Sequence, residues 1–119
     1  MKIDKELLKG STPILVLSML NSGDKYGYQL IQELKNKSDN AFELKEGSLY
    51  PILHGLENEG AVTSYWEESL EGRSRKYYKI TKSGQKMLEE KTSQWSYYSQ
   101  SMAKVIGEMK GGALFGFSH

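Results

Sequence analysis

Leu7, Leu8, Ile14, Leu15, Leu17, Met19 and Leu20 recur at mixed three- and four-residue steps, which predicts a helix over residues 4–21 with Asp4 as its N-cap. Pro13 is expected to kink or divide it. Residues 21–27, NSGDKYG, carry turn chemistry, and beyond them Tyr28, Leu30, Ile31 and Leu34 form the apolar stripe of a second helix that NKSDN ends. Phe42 and Leu44 alternate with polar neighbours, which predicts a very short strand. A third helix opens near Glu46 or Ser48. Leu49, Ile52, Leu53 and Leu56 face its inner side, leaving Ser48, Tyr50, Pro51, His54, Gly55 and Asn58 on an outer face unusually poor in charge.

Gly60 stops that helix, and two runs rich in β-branched and aromatic residues follow, AVTSYWE over 61–67 and SRKYYKIT over 74–81. The loop between them, ESLEG, ends on Gly72, which lets the chain reverse. In the returning strand Lys76, Tyr78 and Ile80 share one face and Arg75, Tyr77 and Lys79 the other, so Tyr78 and Ile80 belong to the core and Tyr77 lies among the cations. After TKSG the pattern is helical again, without proline, from Gln85 to Met109. There Leu88, Trp95, Tyr98, Met102, Val105 and Met109 make a heptad seam broken only at Lys91. The fold class is therefore mainly α with a small β-hairpin: three short helices, a hairpin and one long helix. That order is the winged variant of helix-turn-helix, in which the third helix enters the major groove of DNA and the hairpin reaches the adjacent backbone.

Composition narrows the chemistry. The 119 residues suit one ordinary domain, and a formal net charge of +1 exerts no general pull on polyanions, so any nucleic-acid site is local. From Glu68 to Lys82, five basic residues stand against two acidic ones, a local surplus of +3. Charge alone describes an ordinary solvated hairpin; its position after the third helix makes the basic ribbon of Arg73, Arg75, Lys76, Lys79 and Lys82 a candidate for phosphate contact. There is no cysteine, and His54 and His119 are too few and too far apart for a metal cage, so no metal or other cofactor is expected. His54 has no Asp, Ser or Cys partner placed by a known motif, which argues against a catalytic residue and against an enzyme. The apolar run from Pro13 to Leu20 is far shorter than the ~20 residues of a membrane span, and the chain reads as cytoplasmic with no membrane partner. Trp66 is expected to pack at the base of the hairpin. Trp95 supports two readings, an anchor of a dimer seam or a flat platform for a ligand.

EGSLYPILHGLENEGAV followed by GRSRKYYKIT, with YGYQL in the second helix, resembles the signature of the PadR-like winged-helix transcriptional regulators over roughly residues 6–109. The single carboxy-terminal helix bearing Trp95 resembles the small LmrR-like subfamily. The resemblance implies a homodimeric repressor on a double-stranded DNA operator. It places the recognition helix on residues 46–58, with Ser48, Tyr50, Pro51 and His54 toward DNA, and the phosphate contacts of the wing on Arg73, Arg75 and Lys76. It likewise implies a small aromatic ligand between the tryptophans of two protomers, with Trp95, Tyr98, Met102 and Leu88 around it. The expected division is a DNA-binding domain over 1–82, a dimerisation helix over 83–110 and a flexible tail over 111–119. Two departures stand out: Gly55 where relatives commonly carry a basic residue, and Glu67, Glu68 and Glu71 leading into the wing.

Overall fold

The computed structural model describes residue 1 and residues 3–107. The chain divides into two compact units, Met1–Leu88 and a second that starts at Glu89. In the first unit the order is α1 (Lys5–Asn21), β1 (Lys25–Tyr26), α2 (Gly27–Lys37), α3 (Glu46–Asn58), β2 (Val62–Glu68), β3 (Ser74–Ile80) and the opening turns of α4 (Lys82–Ile106). Met109 and the expected flexible tail over 111–119 lie outside the described residues.

Asp4 caps α1, its carboxylate accepting from the Glu6 amide at 2.8 Å. Pro13 does not divide the helix. Leu8 and Thr12 before it and Val16, Leu17, Met19 and Leu20 after it are buried in the same core, while Lys9, whose carbonyl loses its usual partner, is exposed to water. Leu7 is 72% exposed and lies off that core stripe. The last carbonyls of α1 are met from outside the helix, because Lys25 Nζ donates to Met19 O at 2.8 Å and also faces Glu33 at 3.4 Å. In α2 the buried stripe is Leu30 and Leu34; Tyr28 is 59% exposed rather than part of it.

The expected strand at Phe42 and Leu44 does not form. Both residues turn onto the core from irregular chain, and the third strand is instead Lys25–Tyr26, inside the stretch that reads as a turn. Two residues are too few to show an alternation, so only pairing with β3 makes them a strand. The sheet is antiparallel in the order β1-β3-β2, with Tyr26 opposite Tyr77 and Tyr65 opposite Tyr77 on the other side.

Leu49, Leu53 and Leu56 of α3 meet Leu17, Leu20, Leu30, Val62 and Tyr78 in one core. Tyr78 is 1% exposed, as the alternation requires, and Ile80 packs at the edge. Thr81 joins the wing to α4: its hydroxyl donates toward Gly60 O at 2.7 Å and accepts from the Gly84 amide at 2.9 Å. That cap starts α4 at Lys82 rather than Gln85. Leu88 packs against the core of the first unit. In the second unit α4 leaves Trp95 50% exposed, with Tyr97, Tyr98, Val105 and Ile106 also exposed.

Candidate nucleic-acid interface

The hairpin is built so that one face closes the core and then runs past it. Val62 pairs with Ile80 and Ser64 with Tyr78 over the core, and the next rung on that face is Trp66 opposite Lys76. This rung lies outside the close-packed core, and Trp66 is 68% exposed rather than the packing residue expected at the base of the wing. Ser64 is held by a hydrogen bond from its hydroxyl to the Glu57 carboxylate, which ties β2 to α3.

Trp66 and Lys76 form one wall of a cleft of about 370 Å³ between the wing and the helices. Tyr26 and Gly27 at the start of α2 and Tyr50 and His54 of α3 form the facing wall, with Ser74, Arg75 and Tyr78 completing it. Gly27 is glycine for a reason of space: a Cβ there would lie 2.9 Å from Tyr50 Cζ and closer still to the hydroxyl. The absence of a side chain lets Tyr50 settle half-buried against the first turn of α2.

Both cations of the cleft rest on aromatic rings. The Arg75 guanidinium carbon lies 4.6 Å from the centre of the Tyr26 ring, and Lys76 Nζ lies 5.6 Å from that of Tyr78. Burial, with smaller contributions from Glu57 and Tyr50, raises the Tyr78 pKa, so the residue stays a neutral phenol under the ammonium group. Arg75 is also 3.9 Å from Glu71 across the wing turn, a weak exposed pair. The turn reverses at Gly72, whose φ of 80° is left-handed, and Ser69 closes it by donating its amide to Arg73 O at 2.7 Å.

The structure therefore brings together Tyr50, His54, Arg75 and Lys76 from the sequence-based expectations. Ser48 and Pro51 are exposed on α3 outside the cleft, and Arg73 is exposed at the wing turn. Trp95, Tyr98 and Met102 lie in the second unit, whereas Leu88, expected beside them, lies against the core of the first. Three residues of this region carried no assigned role in the sequence, Asp24, Tyr26 and Gly27, and Trp66 carried a different one. The only trace of those three is the string DKYG inside a stretch with turn chemistry, and nothing in it signals pairing with a strand some fifty residues on.

The model of the transcriptional regulator PadR-like family matches residues 16–90, which takes in this cleft and the core beneath it. The chain belongs to the PadR-like family. A transcriptional regulator from Clostridium thermocellum superposes with a TM-score of 0.81 at 30% identity, covering 88% of this chain and 99% of that one. A PadR family regulator from Eggerthella lenta gives a TM-score of 0.75 at 33% identity, over 85% of this chain and 86% of its own. The Mycobacterium tuberculosis transcriptional regulator Rv3488 is 30% identical over 86 residues, 72% of this chain and 77% of its own length. PadR-like proteins are DNA-binding transcriptional regulators and not enzymes, and the four helices with a three-stranded antiparallel sheet are the winged helix of that family. Among the described residues no helix is long and apolar enough to cross a membrane.

Proposed function

We propose that this PadR-like regulator is a cytoplasmic repressor of the small LmrR-like kind, holding a pseudo-palindromic operator as a homodimer. In this reading residues 1–82 bind DNA and the helix over 83–110 pairs two copies. Ser48, Tyr50, Pro51 and His54 face the major groove, and Arg73, Arg75 and Lys76 hold phosphates. The observation that carries it is the cleft, where α3 and the wing bring His54, Arg75 and Lys76 to one side of the molecule over an aromatic floor. A cation held over a ring has less side-chain freedom to lose when it meets a phosphate. Pairing is supported by the apolar side chains that α4 exposes in the second unit, Trp95, Tyr98, Val105 and Ile106. Two recognition helices related by a two-fold read successive grooves when they stand about 34 Å apart or a multiple of it.

Release would follow from a planar aromatic ligand stacking on Trp95, with Tyr98 and Met102 beside it, that prefers one spacing of the two recognition helices. Such a ligand shifts DNA affinity only by its differential affinity for the two spacings.

The test is a gel shift on the DNA upstream of the protein's own gene, with wild type and a variant carrying Arg73→Ala, Arg75→Ala and Lys76→Ala. The expected result is a salt-dependent shift whose log–log salt slope falls by about one for each cation removed. Wild type that shifts no DNA would point instead to a winged helix that binds proteins. The ligand is tested in a Trp66→Phe background, where Trp95 is the remaining tryptophan; emission unchanged by planar cationic dyes would sink that part of the proposal.

A further inference from the structure

The wing is anchored at its base by Val62, Tyr78 and Thr81, yet the residues proposed to touch phosphate lie further out. At the rung where the core ends, Tyr65 opposite Tyr77, a second set of contacts takes over on the face turned away from the core. The Tyr65 hydroxyl donates to Asp24 Oδ2 at 2.7 Å. Its ring stacks on Tyr77 with centroids 5.7 Å apart and planes 11° apart, and Tyr77 meets Tyr26 edge-on at 5.4 Å. Tyr26 in turn carries the Arg75 guanidinium. Asp24 and Tyr26 both belong to the short connection between α1 and α2, so this connection grips β2 through Tyr65 and β3 through Tyr77 and Arg75. One residue later Gly27 starts α2 and receives Tyr50 of α3.

We propose that Asp24, Tyr65, Tyr77 and Tyr26 form a clamp that sets the angle of the wing against α3, with Asp24 and Tyr65 as positioning residues for the Arg75 contact to DNA. This rests on the reading of the wing as a phosphate-binding element. A ribbon held only at its base bends freely beyond the last core rung, and DNA would then bind only the fraction of molecules with the wing at the right angle. The apparent dissociation constant rises by the inverse of that fraction, while the contacts made once bound, and so the salt slope, stay the same.

Asp24 makes the test decisive because electrostatics and positioning predict opposite signs. Removing an exposed carboxylate near a DNA-binding face lowers repulsion and tightens binding if charge is all that matters. If Asp24 holds the wing, Asp24→Ala weakens binding.

The measurement is fluorescence anisotropy of a labelled random-sequence duplex over a range of salt concentrations, with wild type, Asp24→Ala, Tyr65→Phe, Arg75→Ala and the Tyr65→Phe, Arg75→Ala double variant. Tyr65→Phe keeps the ring stack and deletes only the hydroxyl, so a folded chain is expected, checked by circular dichroism. Asp24→Ala and Tyr65→Phe are each expected to weaken binding about three- to tenfold, the range set by one lost hydrogen bond, with the salt slope of wild type. Arg75→Ala is expected to lower the slope by about one, and the Tyr65→Phe penalty should shrink in its presence, since contacts acting through one group are not additive. If Arg75→Ala weakens binding while Asp24→Ala leaves it unchanged or tighter, the clamp is wrong and the phosphate reading survives. If Arg75→Ala binds as wild type, that reading of the wing fails and the clamp fails with it.

Discussion

Gly84→Ala should destabilise the protein even though it replaces glycine by the best helix former inside a helix. A methyl at this position would lie 2.8 Å from Ile80 Cγ1 and 2.9 Å from the Ala61 carbonyl carbon, and nearer still to the carbonyl oxygen. That oxygen is fixed, accepting from the Thr81 amide at 3.0 Å and lying 3.1 Å from the Thr81 hydroxyl. Ordinary carbon contacts lie at about 3.5–4.0 Å, so the first turn of α4 must retreat by roughly an ångström. The retreat strains the Thr81 cap on the Gly84 amide, whose loss costs about 1 kcal/mol. Overpacking a close-packed contact adds about 1–3 kcal/mol, and the gain in helix propensity returns at most about 1 kcal/mol. The net expectation is a loss of about 1–3 kcal/mol, or a fall in Tm of roughly 5–15 °C for a chain of this size. Gly55→Ala is the internal control, because a Cβ there meets nothing within 4 Å and α3 should gain up to about 1 kcal/mol. Urea and thermal unfolding followed by circular dichroism measure both. Gly84→Ala as stable as wild type, or two variants that move in the same direction, would refute the steric reasoning.

Leu53→Ala, at a side chain wholly buried among the three helices and the sheet, should cost about 2–5 kcal/mol in urea unfolding. Tyrosine absorbance titrated with base should show Tyr65 ionising well above the ordinary value of 10.0, because the hydrogen bond to Asp24, followed by desolvation, pushes it up to about 12, while burial raises Tyr78 as well. The stabilising contribution of Tyr65 is therefore complete below pH 10 and is lost as pH rises from about 10 to about 12, and Tyr65→Phe should reduce the late absorbance change by one tyrosine. Glu71→Gln frees Arg75 from its partner across the wing turn and removes a negative charge, so anisotropy should show DNA binding tightened about two- to fivefold at low salt, with the gain fading as salt is added.

The parts of this protein that sequence pattern determined are those where many residues repeat one physical requirement. Leu49, Leu53 and Leu56 recur at helical spacing because one face of α3 must leave water, and Tyr78 alternates with Tyr77 because a strand has two faces. Element order, the winged helix and the cationic stretch at Arg73, Arg75 and Lys76 follow from such repeats, and several joined motifs carried the family. Asp4 was legible as a cap for the same reason: capping is a local bargain between one side chain and the next turn.

What only the tertiary structure decided depends on pairs of residues that no local repeat connects. Lys25 and Tyr26 become a strand because β3 offers them a ladder, and Phe42 and Leu44 do not because none is offered. Trp66, apolar and inside a predicted strand, stays exposed because the core ends one rung before it. Asp24 meets Tyr65 across 41 positions of chain, and Gly27 is defined by a ring of another helix. Composition and periodicity report how much surface a segment must bury. They hold no record of which distant atom fills the space, and the cleft beside the wing is made of those distant choices.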